Sequence, residues 1–194
     1  MANYQAVEVV CESIIHLLRT NAQTEDFNSE LQFKVYLIDD FSKPMDTGVS
    51  LFLYRIFING NHRAPGGGPG PNGQRYQTQL PLDLHFILTA WGKESSMQHR
   101  IAGWMMRVME DNPILPVGFL NAKAEDVFRP DETIEITPGE LKTEDLLHLW
   151  EILAPNKYYL SIPYLTRNIR IESTQLRSTA DPVQQRTFEY VSPS

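Results

Sequence analysis

Two apolar runs separated by a loop that cannot fold by itself constrain this chain most. The first run reads Val49-Ser-Leu-Phe-Leu-Tyr-Arg-Ile-Phe-Ile-Asn59 and the second Leu80-Pro-Leu-Asp-Leu-His-Phe-Ile-Leu-Thr-Ala-Trp91. Both are rich in residues that favour strands. Their apolar side chains point both ways. In the first run Leu51 and Leu53 face one side, and alternation assigns Phe52, Tyr54, Ile56 and Ile58 to the other. Such a strand belongs in the middle of a sheet, covered on both faces by helices or by a neighbouring subunit. Between the runs, residues 60–79 hold six glycines and three prolines, most of them in Ala64-Pro-Gly-Gly-Gly-Pro-Gly-Pro-Asn-Gly73. Closing a loop of about 20 residues rather than about 5 costs only on the order of 1 kcal/mol more entropy. Loops of this length are functional or linker-like.

The chain has 194 residues, enough for one domain with a well-formed core and an appended tail. Its net charge of −7 argues against a nucleic-acid or anionic-membrane partner, because both select a basic footprint. The N-terminal stretch lacks a basic region followed by a continuous apolar run, so no secretory leader is expected. No segment reaches the roughly 18 apolar residues of a membrane span. The single cysteine excludes an internal disulfide and a thiolate zinc cluster. A chain made in a reducing cytoplasm is the expectation.

Apolar spacing predicts a first helix over residues 4–19, with Val7, Val10, Cys11, Ile14, Leu17 and Leu18 on one face. Cys11 falls inside that stripe and reads as an inert core residue. Leu31, Phe33, Val35 and Leu37 then alternate with Gln32, Lys34 and Tyr36, as in a half-buried strand. A second helix is expected over residues 97–110, opened by a capping box of Ser95 and Gln98 and stopped at Asn112-Pro113. Gly103 inside it either admits a close approach to the sheet or is a tolerated exposed glycine. A short strand at Thr133-Ile-Glu-Ile-Thr137 leads to a third helix from Thr143 to the stop at Pro155, burying Leu146, Leu149, Trp150 and Leu153. The last strand covers residues 158–171, where Pro163 marks a bulge or an edge. The order gives an α+β fold: a single domain whose mixed or antiparallel sheet packs with about three helices. Residues 1–172 form the domain, including the loop, and 173–194 form a C-terminal extension.

Chemistry is sparse. A phosphate-binding loop needs Lys and Ser/Thr after its last glycine and a helix beyond, whereas Gly73 is followed by Gln74-Arg75-Tyr76 and a strand. None of His16, His62, His85, His99 and His148 pairs with a second histidine at the helical spacing a zinc protease requires. No Gly-x-Ser-x-Gly elbow occurs. Asp83 and His85 lie two apart on one strand face, where a carboxylate can orient a general base or simply hydrogen-bond a structural histidine. No catalytic, cofactor-binding or metal-binding set emerges. Arg63, Arg75 and Tyr76 around the loop, and Phe188, Tyr190 and Val191 in the tail, are residue types enriched at protein interfaces and are the contact candidates. The tail segment can add as a strand to a neighbour's sheet edge or fold back on its own domain.

Taken in order, several blocks resemble the cap domain of tail-terminator proteins from phage-tail-like contractile injection systems. They are the N-terminal amphipathic helix; Val49-Ser-Leu-Phe-Leu-Tyr-Arg-Ile; Leu80-Pro-Leu-Asp-Leu-His-Phe-Ile-Leu-Thr-Ala-Trp91; the helix near His99; Pro113-Ile-Leu115; Asp145-Leu-Leu-His-Leu-Trp150; and Tyr158-Tyr-Leu-Ser-Ile-Pro-Tyr164. The glycine loop and the tail lie outside the resemblance. It implies a non-enzymatic ring, typically a homohexamer, at the baseplate-distal end of the inner tube, ending the tube and anchoring the last sheath layer. The implied partners are further copies of the chain, the tube protein and the sheath protein, in a particle that is released or anchored after cytoplasmic assembly. No cofactor is implied. The loop and the tail are the parts expected to contact tube or sheath. The rival readings are a monomeric binding module and an enzyme built on Asp83 and His85.

Overall fold

The computed structural model describes residues 2–27, 29–62, 77–122, 124 and 126–176, with the backbone alone at 24, 62 and 168. The two apolar runs form long neighbouring strands, β2 (Gly48–Ile58) and β3 (Leu80–Trp91). Before them come helix α1 (Ala6–Asn21), the short helix α2 (Thr24–Phe27), strand β1 (Gln32–Val35) and a 3-10 turn (Ile38–Ser42). After them come α3 (Ser95–Asp111), β4 (Ile114–Pro116), α4 (Val117–Leu120), β5 (Thr133–Pro138), α5 (Thr143–Leu153) and β6 (Ser161–Ile171). One six-stranded sheet has the order β1-β2-β3-β6-β5-β4. It is mixed: β1 runs parallel to β2, and all other pairs are antiparallel. The chain is therefore α+β, as expected.

Two cores use the two faces of the central strands. On the first face, α1 and α3 lay Val10, Ile14, Ile15, Leu18, Ile101 and Met105 against Leu51, Leu84, Phe86 and Leu88. On the second face Tyr36, Phe41, Ile87, Trp91, Trp150 and Leu153 form a smaller aromatic cluster beneath α5. Its rings meet edge to face, Phe41 with Trp150 at 5.5 Å and Trp91 with Trp150 at 6.4 Å, the geometry that ring quadrupoles favour. Two pairs of buried polar groups there bond to each other, whereas the buried Trp150 Nε1 has no hydrogen-bond partner among the described residues. Trp91 Nε1 donates to Ser50 Oγ at 2.7 Å, and the Thr89 and Ser161 hydroxyls lie 2.9 Å apart. At the far end of β6 the chain start fills a vacant ladder slot, with Ala2 N–H donating to Arg170 O and Ala2 O accepting from Glu172 N–H.

Several expectations need correction. Leu37 does not continue β1 but is 73% exposed, because the Asp40 carboxylate accepts its N–H at 2.8 Å and turns the chain into the 3-10 helix. Tyr36, expected on the polar side, is buried, and its hydroxyl accepts the Met45 N–H. The capping box at Ser95 is not formed: Glu94 is the N-cap, and Gln98 instead donates its side-chain amide to Ala90 O at 3.1 Å. Pro163 is neither at a bulge nor on an edge. It lies in an interior strand opposite Ile87, just beyond the point where β5 ends at Pro138 opposite Tyr164, so its missing N–H disrupts no ladder on that side. Leu146 and Leu149 pack only partly buried against the second cluster. Burial pushes the Cys11 thiol up to about 12, with Glu12 adding to the shift, which makes it inert as the sequence indicated.

Two glycines differ in what they permit. Gly48 opens β2 at φ +148°, and a Cβ there would sit 2.0 Å from the Gln32 carbonyl oxygen, in the backbone of the strand it pairs with. Gly103 is exposed with nothing within 4 Å of a built Cβ, so it is a tolerated helix glycine rather than a contact to the sheet. Gly48→Ala is expected to destabilise by at least about 1–3 kcal/mol. Gly103→Ala is expected to stabilise by about 1 kcal/mol. Denaturant midpoints of the two variants, moving in opposite directions, check both.

Candidate functional site

A one-residue slip in the β2–β3 ladder shapes the most distinctive surface of the protein. Leu51 lies opposite Leu88 and Leu53 opposite Phe86; the register then shifts, placing Arg55 opposite His85, Ile56 opposite Leu84, Phe57 opposite Asp83 and Ile58 opposite Leu82. Residues opposite one another in an antiparallel pair share a face. Leu82 and Leu84 belong to the first core, so Ile56 and Ile58 lie on that side. Simple alternation had assigned them with Phe52 and Tyr54. The bulge inverts the remainder of the strand and turns Arg55 and Phe57 onto the second face.

There, beyond the reach of α5, an open groove of about 440 Å³ is lined by Arg55, Phe57, Asn59, Asp83, His85, Leu165 and Arg167. The Arg55 guanidinium carbon stands 5.0 Å from the centre of the Phe57 ring. Asp83 is buried and accepts a hydrogen bond from Asn59 Nδ2 at 3.0 Å. The ring of His85 lies 6.1 Å from that of Tyr54. Partial burial holds the His85 pKa below its ordinary value, and Arg55 lowers it further; Asp83 opposes the shift, and Arg167 adds to it. His85 is therefore neutral near pH 7.

The structure does bring Asp83 and His85 into one site, but in a form poorly suited to acid–base chemistry. Asp83 is the one carboxylate among the described residues lining the groove. The flanking charges are two arginines, which favour holding an anion over withdrawing a proton. Among the described residues no group of three His, Cys, Asp or Glu side chains stands close enough to hold a metal. Nor is any described helix long and apolar enough to cross a membrane. The contact candidates Arg63, Arg75, Tyr76, Phe188, Tyr190 and Val191 lie outside the described residues. Sequence reasoning missed Arg55 and Arg167 as groove residues. The first reaches the groove through the bulge, and the second lies opposite a second register shift, between Leu82 and Leu84.

A family model described as the Pvc16 N-terminal domain matches residues 9–185. No curated protein sequence matches the chain. Among solved structures, it is similar to the sheath/tube terminator of an extracellular contractile injection system, PVC, in the extended state: TM-score 0.64 and 16% identity over 99% of this chain and 65% of that one. The tube-terminating cap of the anti-feeding prophage is similar at TM-score 0.60 and 16% identity, over 93% of this chain and 60% of that one. The chain thus spans less than two thirds of the length of either.

The depressed His85 pKa gives a testable pH dependence. Its folded value lies below the unfolded value of about 6.5, so the unfolded chain binds the proton more tightly. The associated stability is complete above about pH 6.5 and falls as pH drops from there to the depressed folded pKa. Urea midpoints of the wild type should accordingly fall more between neutral and mildly acidic pH than those of His85→Gln.

Proposed function

The chain belongs to the Pvc16 N-terminal domain family, and on that premise we propose that it is a structural cap of a contractile injection system. It ends the inner tube at the baseplate-distal end and anchors the last sheath layer. The observation that carries this reading is the fold shared with a sheath/tube terminator across 99% of the chain. Copies of the chain form a ring, with the homohexamer as the expected form, and its partners are the tube and sheath proteins. At −7 per copy, ring contacts rely on apolar burial or on local opposite charges such as the Arg55 and Arg167 pair.

The protein acts without catalysis. Support for this comes from the groove itself, where Asp83 is engaged by Asn59 and two arginines surround a neutral His85. Assembly takes place in the cytoplasm, and the cap leaves as part of the particle. Residues 1–172 make the body of the ring. The loop over residues 60–79, with Arg63, Arg75 and Tyr76, is the proposed contact to tube or sheath, motivated by its glycine and proline content beside a well-packed sheet.

Electron microscopy of particles assembled with and without the protein tests the reading. Without it, tubes should run to uncontrolled lengths and sheaths should detach; unchanged tube length and attachment would overturn the cap assignment. Deleting residues 65–72 should leave the ring intact while weakening capping. His85→Ala should leave capping unchanged, whereas a catalytic protein would lose its function.

A further inference from the structure

The arginines of this protein are unevenly paired. Arg19 and Arg100 donate to the backbone carbonyls of Phe33 and Asp26, and Arg107 and Arg129 pair with Asp111 and Glu172. Arg55 and Arg167 do neither. No hydrogen bond or ion pair joins either guanidinium to a described residue, and both side chains are exposed. The chain has 24 acidic residues for 17 Lys and Arg, so carboxylate partners are not scarce. The two unmatched cations nevertheless line one and the same groove.

The strand ladders fix where they stand. Arg55 lies opposite His85, and His85 opposite Leu165. One row along, Phe57 lies opposite Asp83, which falls in the β3–β6 register shift and so meets residues 167 and 168. The arginines therefore hold two diagonal corners of a patch three strands wide, and Phe57 and Leu165 hold the other two. With strands about 4.8 Å apart and rows about 6.8 Å apart, the arginine Cα atoms stand about 12 Å from one another. Between them lie His85 and the buried Asp83, whose carboxylate is engaged by Asn59 Nδ2 at 3.0 Å. Arg55 rests on the Phe57 ring at 5.0 Å. A guanidinium stacked by its face keeps its in-plane N–H donors available.

Charge and shape together select what such a patch takes. Guanidinium forks match the geometry of carboxylates. The two arginines also work against a proton on His85, so an arriving carboxylate relieves an existing repulsion. Arg55 and Arg167 exceed Asp83 by a single positive charge among the described lining residues, which suits a ligand of one or two charges. A nucleic acid would bring many more, against a chain of net charge −7. The groove of about 440 Å³ lies open along the sheet, so it fits a chain segment laid over it better than a small molecule enclosed in it. In an extended segment, side chains two residues apart leave one face about 6.8 Å apart. Two arginines reaching inward from opposite corners meet that spacing.

We propose that this groove binds an extended acidic segment of a partner protein, Arg55 and Arg167 each holding one of two carboxylates carried two residues apart. The site is argued from its own charges and goes beyond the cap reading, which leaves the chemistry of its contacts open. His85 tunes it. Protonated, the imidazole adds a third cation, so binding tightens as the pH falls below neutral. The charged and titratable groups facing His85 are Arg55 and the Tyr54 ring on β2, Asp83 on its own strand and Arg167 on β6. No residue of a described helix lines the groove.

The test titrates the full chain, at low salt, with the blocked peptide Gly-Glu-Thr-Glu-Gly and with its Gly-Gln-Thr-Gln-Gly counterpart. Binding is followed by NMR at the side-chain Nε–H groups of Arg55 and Arg167. The acidic peptide should shift both signals to saturation, and the glutamine peptide neither. Arg55→Gln and Arg167→Gln should each weaken binding at least about threefold, and together abolish it. Both side chains are exposed, so melting temperatures near wild type certify the folds. Saturating peptide should raise the His85 pKa, read from its ring protons, because the coupling is reciprocal. Affinity should accordingly tighten from about pH 7.5 to about pH 5.5 in the wild type but not in His85→Gln. Signals unmoved by the acidic peptide, binding unchanged in the double variant, or tighter binding of inorganic phosphate or a DNA duplex overturns the proposal. An affinity independent of pH removes His85 from the site. The cap reading, tested on tube ends, stands or falls separately.

Discussion

Strand β3 carries Leu82, Leu84, Phe86, Leu88 and Ala90 into one core and Ile87 and Trp91 into another, so this fold requires both faces of one strand to be covered. Helices α1 and α3 cover the first face over most of its extent, and the neighbouring strands β2 and β6 widen the surface they rest on. The second face is covered by less material: a 3-10 turn and the eleven residues of α5, anchored by Trp150. Aromatic side chains compensate for that economy, since each buries 150–250 Å² in an edge-to-face cluster. Truncating a tryptophan so placed costs about 3–5 kcal/mol.

Coverage runs out along the strands. Toward Trp91 the second face is closed over by aromatic rings, with the Thr89 and Ser161 hydroxyls paired and the Trp91 indole N–H bonded to Ser50. Toward Asp83 no residue of a described helix lines the face, and the side chains become Arg55, Asn59, His85 and Arg167. The bulge after Leu53 accompanies this change of environment. Without the slip, Ile56 and Ile58 would stand on the wet face, and Arg55 and Phe57 on the side of the helices. With it, the charged residue reaches the groove, and the two isoleucines extend the first core's apolar surface out past the cover of the helices.

Much of this was legible in the sequence because it follows from periodicity. The three long helices, the strand–loop–strand pair and the inert Cys11 all rest on patterns that persist over ten residues or more. Features decided by one contact were not legible. Asp40 captures the Leu37 N–H and ends β1 early; Gln98 prefers the Ala90 carbonyl to a capping role; a single extra residue inverts the end of β2. The arginines of the groove escaped for the same reason, since alternation carried through a bulge assigns every later residue to the wrong face. Asp83 and His85 were correctly placed together, but their chemistry depends on Asn59 and Arg55, whose proximity no spacing rule encodes.

These observations bear on what such a surface is suited to do. An enzyme site gathers its convergent polar groups in an enclosed pocket, where water is excluded and each charge is worth more. Here the polar groups lie in an open groove along a sheet, next to an unpaired strand edge and exposed isoleucines. That combination supplies what an added strand needs: backbone partners along the edge, apolar contact on one face and a cation on the other. The half toward Trp91 buries its aromatics within its own cluster. The half beyond the bulge leaves an open strand edge among the described residues, flanked by half-exposed isoleucines.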